Sequence, residues 1–151
     1  MDTIFQKIKA GKLIPNFRSD GLIVETTDYK NLHITLYKNI PDVIMVQYYK
    51  FNGCDGIIFI VDSNDKDRIK VLNEKIRRIL CLEEMYDCRC FLIMANKQDI
   101  NGALSIEEVT KELQLRDLKS IKWLVQGTSG VTGEGIMEGL DWMISTLLKK
   151  K

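Results

Sequence analysis

The chain has 151 residues, 45% hydrophobic and 28% charged, with a formal net charge of +1. That is the size and composition of one domain with a real core, and the charge balance gives no reason to expect nucleic-acid binding. No apolar run approaches the ~20 residues of a membrane span, the N-terminus lacks a signal-peptide core, and Cys54, Cys81, Cys88 and Cys90 show no metal-like spacing, so free thiols in the cytoplasm are expected.

Residues 3–13 read as a short helix, with Ile4, Phe5 and Ile8 on one side and Gly11 near its end. The β-rich runs 21–27 and 32–37, joined by the polar Asp28-Tyr29-Lys30-Asn31, predict an antiparallel hairpin. Gly56-Ile57-Ile58-Phe59-Ile60-Val61 is almost unbroken apolar sequence, the pattern of a strand covered on both faces. Residues 65–82 then place Ile69, Leu72, Ile76, Ile79 and Leu80 at helical spacing. Phe91-Leu92-Ile93-Met94-Ala95 is a second buried strand, opened by Cys90. Ser105-Ile106-Glu107-Glu108 is a capping box that starts a helix through residue 113. A last strand is expected over 121–125, and an amphipathic helix over 135–148 through Ile136, Leu140, Met143, Ile144 and Leu147. Strands alternating with helices predict an α/β fold: one domain over 1–151, a doubly wound, mostly parallel sheet with helices on both faces. A ligand belongs at the carboxyl ends of such strands, where Asp62, Asn96 and Thr128 all lie.

Asn96-Lys97-Gln98-Asp99, at the end of the second buried strand, carries the most chemistry. A carboxylate at Asp99 can accept from the ring N–H and the exocyclic amine of guanine at once. Adenine offers no such donor pair, so it would leave a polar group unpaired and be rejected. Asn96 can bridge the base edge and neighbouring loops, and the Lys97 stem can lie along base and sugar while its ammonium stays wet. A bare polar loop after a strand is the alternative reading of these four residues.

The order of pieces resembles the ADP-ribosylation factor (Arf) family of small GTPases over nearly the whole chain. The matching stretches are Val24-Glu25-Thr26 with Tyr29-Lys30-Asn31, GIIFIVDSND over 56–65, ANKQD over 95–99 and EGLDW over 138–142. The resemblance implies a small-GTPase fold with Asn96, Lys97 and Asp99 reading the guanine base. Thr128, Ser129 and Gly130 fall in the family's second base loop, whose backbone N–H groups meet the guanine carbonyl. Gly130 stands where an alanine is usual, which keeps the N–H and loosens the loop.

The phosphate side departs from the family. A P-loop needs G-x-x-x-x-G-K-[ST]. Gly11-Lys12 is a decoy, preceded at the required position by Gln6 and followed by Leu13. Thr3 aligns just after the P-loop, so the first strand and most of that loop are expected to be missing. The magnesium-closing switch threonine becomes Ser19, a residual candidate metal ligand in the altered setting Arg18-Ser19-Asp20. The family's W-D-V-G-G-Q becomes Tyr37-Lys38-Asn39-Ile40-Pro41-Asp42. Lys38 reverses the charge of a magnesium-supporting aspartate, while the phosphate-sensing glycines and the water-positioning glutamine are gone. The expectation is therefore a pseudo-GTPase with weak GTP or GDP binding, poor magnesium support and no identifiable hydrolytic residue.

Two alternatives stand beside it. One is a working GTPase whose P-loop lies outside this sequence. The other is an α/β enzyme with different chemistry in the same crevice, although Cys54 and His33 lack partner spacing for nucleophilic catalysis. By the resemblance, the hairpin and its flanks, with Leu22, Tyr37, Tyr48 and Tyr49, form a surface for protein effectors in vesicle traffic. Packing in the core or at its rim is the competing reading of those residues. With Asp2 after the first Met, the family's N-terminal myristoylation is not expected. Lys149-Lys150-Lys151 is expected as a solvated helix end, with at most peripheral contact at Golgi or other endomembranes. A sheet without its central first strand leaves apolar edges, so a homo-oligomer is a further expectation.

Overall fold

The computed structural model describes residues 2–8, 16–17, 23–38, 54–82 and 87–149. Its centre is a parallel sheet of β4 (Gly56–Asp62), β5 (Cys90–Asn96) and β6 (Lys122–Gly127), in that order. All seven residues of β5 are buried, as its unbroken apolar sequence requires. Their side chains alternate. Phe91, Ile93 and Ala95 enter one core with Ile69, Ile76 and Ile79 of α2 (Lys66–Leu80) and Val109 of α3 (Ile106–Glu112). Cys90, Leu92 and Met94 enter the opposite core with Ile4 and Ile8 of α1 (Asp2–Ile8) and Ile136, Leu140 and Met143 of α4 (Ile136–Leu148). Across the first core Phe59 meets Phe91 edge-on, with ring centroids 5.4 Å apart.

The second sheet is antiparallel: β1 (Asn16–Phe17), β2 (Ile23–Tyr29) and β3 (Leu32–Lys38). Its Tyr29, Leu32 and Ile34 pack on the α1/α4 core. The hairpin turn is shorter than the sequence predicts. Asp28 and Tyr29 are paired with His33 and Leu32, which leaves Lys30 and Asn31 as the loop. Lys30 takes φ +52, the left-handed backbone that a tight hairpin needs. Asp141 of α4 then holds the turn, accepting from Lys30 Nζ at 2.6 Å and Tyr29 Oη at 3.1 Å.

Local chemistry fixes the helix starts. Asp65 caps α2 by accepting from Arg68 N at 3.1 Å. The Ser105/Glu108 capping box is formed in both directions, at 3.2 and 2.8 Å. At α4 the cap is Gly135 with φ +75, where an added Cβ would lie 1.9 Å from Gly127 O. Only glycine fits there, and it lets α4 begin directly against the end of β6. At its other end α4 is held by Arg89, which donates to the carbonyls of Leu147 and Lys149.

The helix expected over 3–13 is seen as Asp2–Ile8, and its remaining positions lie outside the described residues. Among the described residues no strand is hydrogen-bonded to the outer edge of β3 or of β4.

Candidate nucleotide-binding site

Three strand ends converge at one edge of the parallel sheet, with Asp62 level with Asn96 and Ala95 level with Gly127. The loops that follow are laced together. Ser63 N donates to Asn96 O at 3.0 Å, Gln98 N to Thr128 O at 3.1 Å and Thr128 N to Ala95 O at 3.0 Å. The Gln98 side-chain amide donates to Ser63 Oγ and Leu104 O, both at 3.0 Å. Ser129 closes its own turn, accepting from Thr132 N at 3.2 Å through Oγ and from Gly133 N at 2.8 Å through its carbonyl. Strand alternation buries the chain up to Asn96. There Lys97 turns it out with φ +70, so that Lys97, Gln98 and Asp99 are exposed along the crevice.

Asn96 is the keystone. Its side chain is buried, and Oδ1 accepts from Gly130 N at 2.9 Å and from Thr128 Oγ1 at 3.5 Å. Two donors on one oxygen fix which end of the amide is which. The carbonyl is committed to the 128–130 loop, and the amide N–H₂ is the end available to a ligand. Asn96 therefore joins the two loops the sequence reading assigned to the base. The same bond engages the Gly130 N–H, which that reading had offered to a guanine carbonyl.

Gly130 has a packing reason the sequence did not reveal. A Cβ there would stand 2.2 Å from Thr3 Oγ1 and 3.0 Å from Thr3 Cβ. The first turn of α1 thus lies on the base loop more closely than an alanine would allow. Ile4 and Ile8 are anchored in the core beneath it.

Lys97 Nζ forms an ion pair with Asp62 Oδ2 at 2.5 Å. Burial works to raise the Asp62 pKa, but Lys97 and the Asn64 N–H outweigh it and hold the carboxyl below its ordinary range. The long Lys97 stem thus lies across the crevice between β4 and β5.

Hydrogen bonds bring Asn96, Thr128 and Gly130 together, and Lys97, Asp99 and Ser129 sit on the same two loops. Tyr37 is half-buried on β3, opposite Val24, and Ser19, Leu22, Tyr48 and Tyr49 lie outside the described residues. Sequence reasoning missed Thr3, Ser63 and Gln98 as parts of the site's frame. Ser63 directly follows β4 and Gln98 lies inside the Asn96–Asp99 motif, which was the available signal. Thr3 had none.

A model of the ADP-ribosylation factor family matches residues 1–147. The chain belongs to the Arf family. Among solved structures it is similar to the Arl6 BBS3 small GTPase from Trypanosoma brucei, a structure with the bound nucleotide analogue GppNp. The identity is 26% and the TM-score 0.77, over 97% of this chain and 89% of that one. The fold is accordingly the small-GTPase α/β fold, with its parallel sheet and flanking helices. Arf proteins work with guanine nucleotide and magnesium. The described residues fit the base half of that ligand. Asp62 is paired with Lys97, and among the described residues no group of three or more acids, histidines or cysteines is placed to hold a metal. No described helix is long and apolar enough to cross a membrane.

Proposed function

We propose that this Arf-family chain is a guanine-nucleotide-binding module that recognises the base but grips the phosphates weakly and does not hydrolyse GTP. The carrying observation is the Asn96 keystone, whose side chain ties the Asn96–Asp99 loop to the 128–130 loop. Asp99 accepts the two guanine donors, Asn96 offers its amide to a ring nitrogen, and Lys97 leaves Asp62 to lie along base and sugar.

The loss of turnover is supported from inside the chain. Tyr37-Lys38-Asn39-Ile40-Pro41-Asp42 contains neither the glycines that sense a terminal phosphate nor a glutamine to position water. Its lysine stands where a carboxylate would support magnesium. Hydrogen bonds to charged groups are worth about 1.5–3 kcal/mol each, so base contacts alone supply roughly 4–8 kcal/mol. That corresponds to a Kd between about 1 mM and 1 μM. Partner binding through the hairpin that carries Tyr37, at the periphery of endomembranes, completes the reading by analogy with the family.

The test is base selectivity. Calorimetric titration with GDP, GTP and ATP is expected to favour both guanine nucleotides over ATP by at least tenfold. Asp99→Asn should remove that preference. Equal affinity for ATP and GTP in the parent chain would overturn base recognition.

A further inference from the structure

At the opposite pole of the sheet, where β4 and β5 begin, Cys54 and Cys88 each precede by two residues the register pair Gly56↔Cys90. The two segments are tied by Arg89 N donating to Asp55 O at 2.7 Å. Neighbouring strands lie about 4.8 Å apart, inside the Cα separation a disulfide spans. Cys88 is buried in the α2/α3 core, and Cys54 is half-buried and packed against that cluster. Both are free thiols. We infer that Cys54 and Cys88 form a reversible intramolecular redox pair, closed by a low-molecular-weight disulfide such as oxidised glutathione.

The environment divides the roles. The neighbouring Cys88 thiol lowers the Cys54 pKa, while Cys54 and burial raise that of Cys88, whose Sγ donates to Cys90 O at 3.8 Å. Cys54, the more exposed of the two, is the attacking thiolate. Having given its proton to solvent, it attacks one sulfur of oxidised glutathione, forms a mixed disulfide and expels glutathione thiolate, which is protonated. The negative neighbour that held the proton on Cys88 is then gone. Cys88 loses its proton and attacks the Cys54 sulfur, expelling the second glutathione. Two protein thiols are oxidised by two electrons, and one glutathione disulfide is reduced to two thiols. The bond encloses α2 and the whole excursion between β4 and β5, constraining the unfolded chain without touching the nucleotide loops. Exposed Cys81, at the end of α2, serves as the internal control.

The experiment is equilibration of the purified full chain in glutathione redox buffers, followed by acid quench, alkylation and peptide mapping by mass spectrometry. The expected product is lighter by two hydrogens and links the Cys54 and Cys88 peptides. Its Tm should be higher by about 5–15 °C. Cys81→Ser should leave the product unchanged, while Cys88→Ala should stop at a glutathione adduct on Cys54. In urea the selective pairing should be lost. A stable Cys54 adduct in the parent chain, pairing through Cys81 or Cys90, or no thiol loss in the folded protein would each overturn the proposal.

Discussion

Asn96 sits where sequence chemistry and three-dimensional packing meet. Its residue type was legible from the motif at the end of β5, but its main partner, the Gly130 N–H, is 34 positions away. Asn96→Ala would leave that donor and the Thr128 hydroxyl buried without an acceptor. The expected loss is about 1–3 kcal/mol in urea unfolding, together with a loss of guanine selectivity. Gly130→Ala tests the contact with α1. The new Cβ falls 2.2 Å from Thr3 Oγ1, so overpacking should destabilise the chain by about 1–3 kcal/mol. Thr3→Gly in the same chain should recover most of it, and an additive double mutant would argue against the contact. From sequence Gly130 looked only like a looser alanine, because the approach of α1 is a tertiary fact. The Lys97–Asp62 pair was hidden for the same reason, although both residues were visible at strand ends.

At the level of elements, the most legible pieces were those whose physics is local. The apolar run of β5 predicted its full burial, whereas β4, read the same way, buries only Ile57 and Val61 because no described strand covers its outer edge, and the Ser105/Glu108 capping box formed as its spacing required. Ser105→Ala should cost about 1 kcal/mol of thermal or urea stability. The hairpin was read correctly as a pair of strands, but with a turn of four residues where two suffice. The left-handed backbone of Lys30 and the clamp from Asp141 lie outside local pattern. That clamp is pH-dependent. The Lys30 ammonium holds the Asp141 carboxyl below its ordinary range, so this contribution is present above pH ~4 and is lost as pH falls through the depressed value. Lys30 is raised by the same bond, so its contribution is full below pH ~10.4 and lost as pH rises past the raised value. Protection factors of the β2–β3 amides, with the intrinsic pH dependence divided out, should fall at the acid end. Asp141→Asn should lower them throughout, and an unchanged acid response in that variant would contradict the clamp.

Over the whole molecule, the covered parallel sheet and its two cores were readable because burial on both faces forces continuous apolar strands. The relation between the two sheets was not, since it depends on what lies along β3 and β4. Among the described residues those two edges have no ladder partner, and exposed edges recruit other strands. Concentration-dependent self-association is therefore expected in sedimentation velocity, and a strictly monomeric chain across the concentration series would contradict it. The phosphate side sets the function of the assembly as a whole. On the proposed reading, in which base recognition carries the affinity, the chain should bind GTP without needing the cation. The most direct measurement is the GTP affinity of the full chain with magnesium and again with excess chelator. A Kd weaker than about 1 μM that changes less than threefold on chelation is the expected result. A nanomolar Kd that collapses when magnesium is removed would contradict it.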